Sequence, residues 1–155
     1  MVNSVYIAAP IVGVSEDVKS KINKVIETIH ETFPDAEIYD PSKHKVPNEW
    51  GMSIEEWARS IFALDVVAID SCEWVVVCDY GRGGTAGTGW ECGYAFGKGK
   101  KILVVHMKDD ADYSVMIEGS SSNHCSFSEF CFGLDGVKKY FTLRGKSCES
   151  NIVYN

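Results

Sequence analysis

The stretch that decides the fold runs from residue 74 to residue 97 and reads WVVVCDYGRGGTAGTGWECGYAFG. Its first five residues are continuously apolar and rich in valine, which is typical of a strand buried on both faces of a parallel sheet. A glycine-rich segment at residues 81–89 follows, and we predict a short helix from about residue 90 to residue 96. A buried strand that leads through glycines into a helix is typical of parallel α/β proteins.

The sequence on both sides of this stretch continues the alternation of strands and helices. Short apolar runs predict strands, and apolar residues at helical spacing predict helices. A capping box formed by Ser53 and Glu56 marks the start of one helix. The further predicted elements are strands at residues 5–9, 37–39, 101–106 and 125–132, and helices at residues 16–33, from residue 53 onward and at residues 135–141. This order predicts a parallel sheet with helices on both faces, and ligands bind such sheets at the carboxyl ends of the strands.

Composition and charge exclude several classes of protein. The formal net charge of −7 and the absence of a basic face argue against polymeric nucleic acid as a partner. No stretch approaches the roughly 20 apolar residues of a membrane span, and residues 5–14 lack the basic leader of a signal peptide. The six cysteines are dispersed without a Cys-x-x-Cys pair, so neither a zinc knuckle nor a set of His124, Cys125 and Cys131 is favoured as a metal site. We therefore expect a cytoplasmic protein with no membrane partner.

Two carboxylates carry the candidate chemistry. Glu91 is predicted in the first turn of the helix that follows the glycines, where the helix dipole favours the ionised form that a nucleophile needs. Position alone favours a capping glutamate over this role. Asp65 lies on an otherwise apolar stretch of the preceding helix. Two carboxylates can divide the cleavage of a glycosidic bond, since one attacks the anomeric carbon and the other manages the proton of the leaving group.

The glycine-rich segment is the second candidate feature. Glycines between a strand and a helix can direct backbone N–H groups at an anion. The segment is neither a Walker loop nor a strict Gly-x-Gly-x-x-Gly fingerprint. Flexible turn chemistry explains it about as well as anion binding does.

These residues together resemble the nucleoside 2-deoxyribosyltransferases. Residues 87–95, Gly-Thr-Gly-Trp-Glu-Cys-Gly-Tyr-Ala, resemble the motif around that family's nucleophilic glutamate, and Tyr6 resembles the first-strand tyrosine that orients it. Asp65 followed by Glu73 matches the family's spacing of acids, and the resemblance extends over residues 4–119. It implies a flavodoxin-like (Rossmann-like), doubly wound five-stranded parallel sheet in one α/β domain, residues 1–155, with Glu91, Asp65 and Tyr6 as catalytic residues. The substrate-binding residues that it implies are Ala8, Gly83, Gly84, Thr85, Gly87, Gly89, Trp90, Ser114 and Met116.

The two branches of this family differ where the 5′ end of the sugar binds. The transferases carry an aspartate six residues before the nucleophile and an asparagine in an Asn-Leu-Met-like segment, where this chain has Thr85 and Ser114. Hydroxyl groups at both places resemble the nucleoside 5′-monophosphate N-glycosidases, because they can donate hydrogen bonds to a phosphate that an aspartate would repel. Residues 151–155 instead resemble the aromatic carboxy-terminus of the transferases, and Asp79 could supply a carboxylate from elsewhere. We therefore expect a slight preference for the monophosphate.

The sequence as a whole predicts an enzyme that cleaves the N-glycosidic bond of a (2′-deoxy)nucleoside or its 5′-monophosphate through a Glu91 glycosyl-enzyme intermediate. The resemblance implies no metal and no organic cofactor. It also implies a homo-oligomer in which Ser114 or the carboxy-terminus completes a neighbour's site. The partners are then a small-molecule nucleoside or nucleotide and the free base. The alternatives are a transferase that exchanges bases between deoxynucleosides and a non-catalytic nucleotide-binding module, which would not need both Asp65 and Glu91.

Overall fold

The computed structural model describes residues 1–83, 86–109 and 112–142. Strands and helices alternate along these residues, as the sequence predicts. The strands are β1 (Ser4–Ala8), β2 (Glu37–Tyr39), β3 (Trp74–Asp79), β4 (Lys101–His106) and β5 (Asn123–Ser126). The helices are α1 (Glu16–Thr32), α2 (Ile54–Ser71), α3 (Ala86–Gly97), α4 (Val115–Ser120) and α5 (Phe127–Phe132), with short 3-10 turns at Pro41–Lys43, Glu49–Gly51, Gly81–Gly83 and Lys138–Phe141.

The five strands form one parallel sheet in the order β2-β1-β3-β4-β5. Strand β2 lies on one side of β1, and β3, β4 and β5 lie on the other side. The direction in which the chain adds strands therefore reverses between β1 and β3. A reversal of this kind opens a crevice at the carboxyl ends of the two central strands. The prediction of a flavodoxin-like, doubly wound five-stranded sheet is confirmed.

Alternate side chains of the strands enter two separate cores, because successive residues of a strand point to opposite faces of the sheet. One core packs against α1 and α5 and contains Ile7, Val76 and Leu103. The other packs against α2 and α3 and contains Tyr6, Val77 and other residues of the opposite parity. All of β3 is buried, which explains its unbroken apolar run. Tyr6 therefore lies on the sheet face that α2 and α3 cover.

Helix α2 begins where its capping box places it. The Ser53 side chain accepts a hydrogen bond from the Glu56 backbone N–H, and the Glu56 side chain accepts one from the Ser53 backbone. This exchange satisfies two of the donors that every helix start leaves unpaired. No helix among the described residues is long and apolar enough to cross a membrane.

The start of α3 differs from the sequence expectation. The helix begins at Ala86 rather than near Trp90, so it includes Gly87 and Gly89. Glycine lowers helix propensity without forbidding a helix, and tertiary packing overrides that preference here. The described residues leave open space where a Cβ of Gly89 would lie. As a consequence, Glu91 lies in the second turn of α3 and not in the first.

The carboxy-terminal elements were also predicted wrongly. Residues 125–132 do not form one strand, because β5 ends at Ser126 and α5 follows at once. Ser126 and Glu129 form a second capping box that starts this helix. The predicted helix at residues 135–141 is only a 3-10 turn, Lys138–Phe141.

Candidate active site

The proposed catalytic carboxylates face one cavity between α2 and α3. Its volume is about 370 Å³, which is in the range of small-molecule sites. Its walls are mainly apolar and aromatic, so the two acids are the polar groups that a ligand would meet. The lining residues are Trp57, Ala58, Ile61, Phe62, Asp65, Gly87, Trp90 and Glu91.

Tyr6 and Glu91 are joined by a hydrogen bond. The Tyr6 hydroxyl donates to Glu91 Oε1 at 2.8 Å, and the two residues lie 85 positions apart in the chain. Tyr6 is fully buried, and its ring stacks on that of Tyr39 with the centroids 5.3 Å apart. Burial, together with the charges of Glu91 and Asp65, raises the pKa of Tyr6, so its hydroxyl stays protonated. A protonated, immobile donor holds the Glu91 carboxyl in one orientation.

The electrostatic environment of Glu91 differs from the sequence expectation. Burial, opposed by the hydrogen bond from Tyr6 and assisted by the nearby charge of Asp65, raises the pKa of Glu91 to about 7. The expected stabilisation of the carboxylate by a first-turn helix dipole is wrong, because Glu91 lies one turn deeper. The cost of removing the charge from water therefore dominates.

Asp65 lies partly buried on α2 beside the same cavity. Burial raises its pKa, against the opposing effects of Tyr6, His44 and Tyr39. The charge of Asp65 is one of the causes that raise the pKa of Glu91, so the protonation of one acid affects the other. This arrangement can supply one carboxylate and one carboxylic acid at the same time.

Two aromatic residues behind Asp65 were missed by sequence analysis. Tyr39 pairs with Tyr6 in the β1–β2 register, and the His44 ring stacks on Tyr39 with the centroids 4.1 Å apart. Burial and the neighbouring Asp65 raise the pKa of the Tyr39 hydroxyl. The sequence shows a tyrosine at the end of β2. It does not show which residues lie beside that tyrosine, because the register of β1 and β2 determines this.

A second cavity of about 320 Å³ lies at the carboxyl end of β3, beside the start of α3. Asp79 is buried there; its Oδ1 accepts a hydrogen bond from the Gly81 backbone at 2.8 Å, and its Oδ2 has no partner among the described residues. Burial raises the pKa of Asp79. Arg82, which sequence analysis missed, is exposed and pairs with Asp112 at 2.9 Å. The lining residues are Pro10, Cys78, Asp79, Tyr80, Gly81, Arg82, Ala86, Thr88, Gly89 and Ile117.

The remaining predicted substrate-binding residues are distributed unevenly. Gly87 and Trp90 line the first cavity and Gly89 the second. Ala8 is buried at the end of β1, where it packs in the core that α2 and α3 cover. The predictions for Gly84 and Thr85 lie outside the described residues. Like Ala8, Ser114 before α4 and Met116, which is exposed on α4, line neither cavity, and Gly83 lies in the turn before α3.

Comparison with known protein families shows the family of this chain. The sequence model of the nucleoside 2-deoxyribosyltransferase family matches residues 5–125, which is most of the chain. The chain belongs to the nucleoside 2-deoxyribosyltransferase family. It is therefore an enzyme of N-glycosidic bonds, and its substrates are small-molecule nucleosides or nucleotides. A search of curated protein sequences gave no match.

Solved structures share the fold at low sequence identity. A 2-deoxyribosyltransferase from Bacillus psychrosaccharolyticus is 19% identical, with a TM-score of 0.65 over 79% of this chain and 85% of that chain. The CMP N-glycosidase BcmB from Clostridium botulinum is 20% identical, with a TM-score of 0.58 over 90% of this chain and 100% of that chain. A conserved protein from Enterococcus faecalis V583 is 13% identical, with a TM-score of 0.66 over 90% of this chain and 99% of that chain.

Proposed function

We propose that this enzyme hydrolyses the N-glycosidic bond of a nucleoside 5′-monophosphate through a glycosyl-enzyme intermediate on Glu91. The observation that carries the proposal is the Tyr6–Glu91 hydrogen bond of 2.8 Å beside a cavity that also contains Asp65. A carboxylate fixed by one hydrogen bond keeps its other oxygen for attack on the anomeric carbon. A second acid in the same cavity is placed to reach the leaving base.

The first step breaks the bond between the anomeric carbon and the base. The reactive arrangement has a proton on Asp65 and the charge on Glu91. Glu91 attacks the anomeric carbon, the electron pair of the broken bond stays with the base, and Asp65 gives the base a proton. The product of this step is a sugar ester of Glu91 and the free base.

The second step releases the sugar. The Asp65 carboxylate takes a proton from a water molecule, the resulting hydroxide attacks the anomeric carbon, and the bond to Glu91 breaks. Asp65 thereby regains its proton, and Glu91 regains its charge. The sum of the two steps is hydrolysis of the nucleotide to its base and sugar phosphate.

The second cavity supports the monophosphate as substrate. The first turn of α3 lines both cavities. The backbone N–H groups at the start of a helix are free to bind an anion. Arg82 adds a cation at the edge of the second cavity. Asp79 opposes an anion only when ionised, and burial raises its pKa, which weakens that repulsion. The Thr85 hydroxyl, outside the described residues, belongs to the same proposal.

Transfer of the sugar to a second base is the other candidate, and Asp79 favours it. A buried carboxylate with one unpaired oxygen can accept a hydrogen bond from a free 5′-hydroxyl group. The aromatic wall of Phe62 and Trp90, with ring centroids 5.1 Å apart, would stack an incoming base as well as a leaving one. The non-catalytic nucleotide-binding module is set aside, because the family is one of enzymes.

The experiment measures base release by chromatography from a 2′-deoxynucleoside and from its 5′-monophosphate, each with and without a second base. Hydrolysis of the monophosphate predicts that the monophosphate is the better substrate and that the added base changes nothing. Preference for the nucleoside, together with turnover that depends on the added base, would establish the transferase instead. Thr85→Asp should shift the preference toward the nucleoside, since a like charge would then face the phosphate.

We also propose a homo-oligomer in the cytoplasm. Helix α2 has 18 residues, of which only Ala68 and Ile69 are buried. Its predicted apolar side therefore remains largely uncovered by the described residues. A second copy of the chain that covers this side would stabilise both subunits by burying apolar surface. The cytoplasmic location rests on the sequence pattern alone.

A further inference from the structure

Two histidines and a glutamate that line neither cavity described above converge at the edge of the sheet, next to Asp79. His106 ends β4 and His124 lies in β5, while Glu118 lies on α4. Val104 is the register partner of His124, so His106 and His124 occupy the same face of neighbouring strands. The strand register and the helix α4 thus bring three side chains from separate segments to one point.

The distances between their polar atoms are short. His106 Nε2 lies 2.5 Å from Glu118 Oε1, and His124 Nδ1 lies 3.8 Å from Glu118 Oε2. One atom of each side chain can be chosen so that all three lie within 4.8 Å of one another. Each oxygen of the Glu118 carboxylate therefore faces a nitrogen of a different histidine.

We propose that His106, Glu118 and His124 bind a divalent transition-metal ion, and that Zn²⁺ fits them best. Imidazole nitrogens with one carboxylate are ligands that suit Zn²⁺ and its neighbours, whereas Mg²⁺ and Ca²⁺ take oxygen ligands. Three protein ligands and one water complete a tetrahedral shell. This ligand set differs from the cysteine-containing set that the sequence analysis considered and did not favour.

Only small movements close the site around an ion. Ligand atoms about 2.0–2.1 Å from a tetrahedral Zn²⁺ lie roughly 3.4 Å apart. His106 and Glu118 must therefore separate by less than about 1 Å, and His124 must move inward. The His124 side chain is 46% exposed and has room to turn, whereas the His106 ring is stacked on Tyr113 with the centroids 4.1 Å apart. One ligand is thus fixed and another is adjustable.

The surroundings of the cluster favour a cation and give it access. His106 and His124 line an open cavity of about 580 Å³, through which a hydrated ion can enter. Asp79 is the register partner of His106 and has one buried carboxylate oxygen without a partner among the described residues. Lys139, which lines the same cavity, is paired with Asp135 at 3.1 Å, so its charge is partly offset.

The site does not depend on the proposed function, because none of its three ligands has a catalytic role. A bound ion would join α4 to β4 and β5 at the edge of the sheet. Since an ion that binds only the folded chain stabilises it, Zn²⁺ should raise the melting temperature. Binding is therefore measurable without any assay of base release.

The test starts from full-length protein stripped with a chelator, to which Zn²⁺ is added under calorimetry and during thermal unfolding. We expect one ion per chain and a rise in Tm of about 3 °C or more. His124→Gln should weaken binding by at least about tenfold, and this exposed position should leave the fold intact. His30→Gln on α1 and Cys131→Ser are the matched controls, and both should bind Zn²⁺ normally.

A spectroscopic measurement distinguishes this site from adventitious binding to the cysteines. Co²⁺ held by nitrogen and oxygen ligands gives visible bands without the near-ultraviolet charge transfer that thiolate ligands produce. Bands that His124→Gln abolishes would support the proposal. Failure of the stripped protein to bind Zn²⁺, binding that His124→Gln leaves unchanged, or a thiolate charge-transfer band would each overturn it.

Discussion

The surroundings of Glu91 act on its pKa in opposite directions. Burial and the charge of Asp65 favour its neutral form, and the hydrogen bond from Tyr6 favours its ionised form. The first two effects prevail, so its pKa is about 7, where a small change in surroundings changes its charge. Strongly perturbed carboxyl groups in a cavity are characteristic of catalytic sites.

The raised pKa makes the stability of the protein depend on pH at Glu91. The folded pKa of about 7 lies above the ordinary value of 4.5, so the folded state binds more protons between these values. The stability that the folded state gains by keeping Glu91 protonated is fully present below about pH 4.5 and is lost as the pH rises through about 7. Glu91→Gln removes the charge, so it should stabilise the protein at pH 8 by on the order of 2–3 kcal/mol and have little effect near pH 4.5.

Thermal unfolding of both proteins at the two pH values checks this expectation. Glu55→Gln, an exposed glutamate on α2 that pairs with Arg59, is the control and should show no such pH dependence. A difference in Tm between Glu91→Gln and the unaltered protein that is the same at both pH values would contradict the assigned direction.

Asp65 gives a prediction about the leaving group. Asp65→Asn removes the proton donor but keeps the size of the side chain, so kcat should fall by about 10²–10⁴-fold for bases that leave only when protonated. The loss should be smallest for bases that leave readily without a proton. The measurement is kcat over a series of nucleotides with different bases. Asp70→Asn, on the same helix and paired with Lys98, is the control. An equal loss across the series would show that Asp65 only positions the base.

At the scale of the elements, the sequence located β1 to β4 and the starts of α1 and α2, but it misplaced the start of α3 and missed helix α5. The buried run of β3 and the capping box of α2 are local signals, and both lie where they were expected. The start of α3 was placed too late, because glycines that usually favour loops lie inside this helix. Helix α5 was taken for part of a strand, because the capping box of Ser126 and Glu129 was overlooked.

In the candidate site, some residues can be recognised from the sequence and others only from the folded structure. Tyr6, Asp65 and Glu91 could be proposed from the sequence because they match the motif of the family that it resembles. Tyr39, which lies beside Tyr6 through the register of β1 and β2, could not. Neither could Arg82, whose closeness to the second cavity depends on the turn before α3.

Arg82, in the turn before α3, gives a prediction about phosphate binding. Charge-assisted hydrogen bonds contribute about 1.5–3 kcal/mol, so Arg82→Gln should raise KM for the 5′-monophosphate roughly tenfold or more. The KM for the matching nucleoside should change little, because it lacks the phosphate. Arg59→Gln, which removes an exposed arginine on α2, is the control. Equal changes for both substrates would remove Arg82 from the phosphate site.

At the scale of the whole molecule, α2 presents apolar side chains to solvent. Among them, Val67 is 67% exposed and Ile54 is 87% exposed. These exposed apolar side chains support the proposed subunit contact. Since the first cavity opens between α2 and α3, a subunit seated on α2 would also cover the substrate.

This surface predicts that assembly and activity are linked. Val67→Glu places a charge in the proposed interface, so it should shift the protein toward the monomer and lower base release. Light scattering coupled to size-exclusion chromatography measures the mass, and Asn23→Glu, exposed on α1 across the sheet, is the control. A monomeric unaltered protein, or an oligomer that Val67→Glu leaves intact, would contradict the proposed interface.

The covalent intermediate on Glu91 is the central claim, and acid-quenched mass spectrometry tests it most directly. Protein mixed with excess nucleoside 5′-monophosphate is quenched during turnover, digested and mapped by peptide mass. The account predicts a pentose-phosphate adduct on the peptide that contains Glu91, formed together with a burst of free base and absent from Glu91→Gln. Turnover without any adduct on that peptide in rapidly quenched samples, or release of base by Glu91→Gln at the unaltered rate, would contradict it.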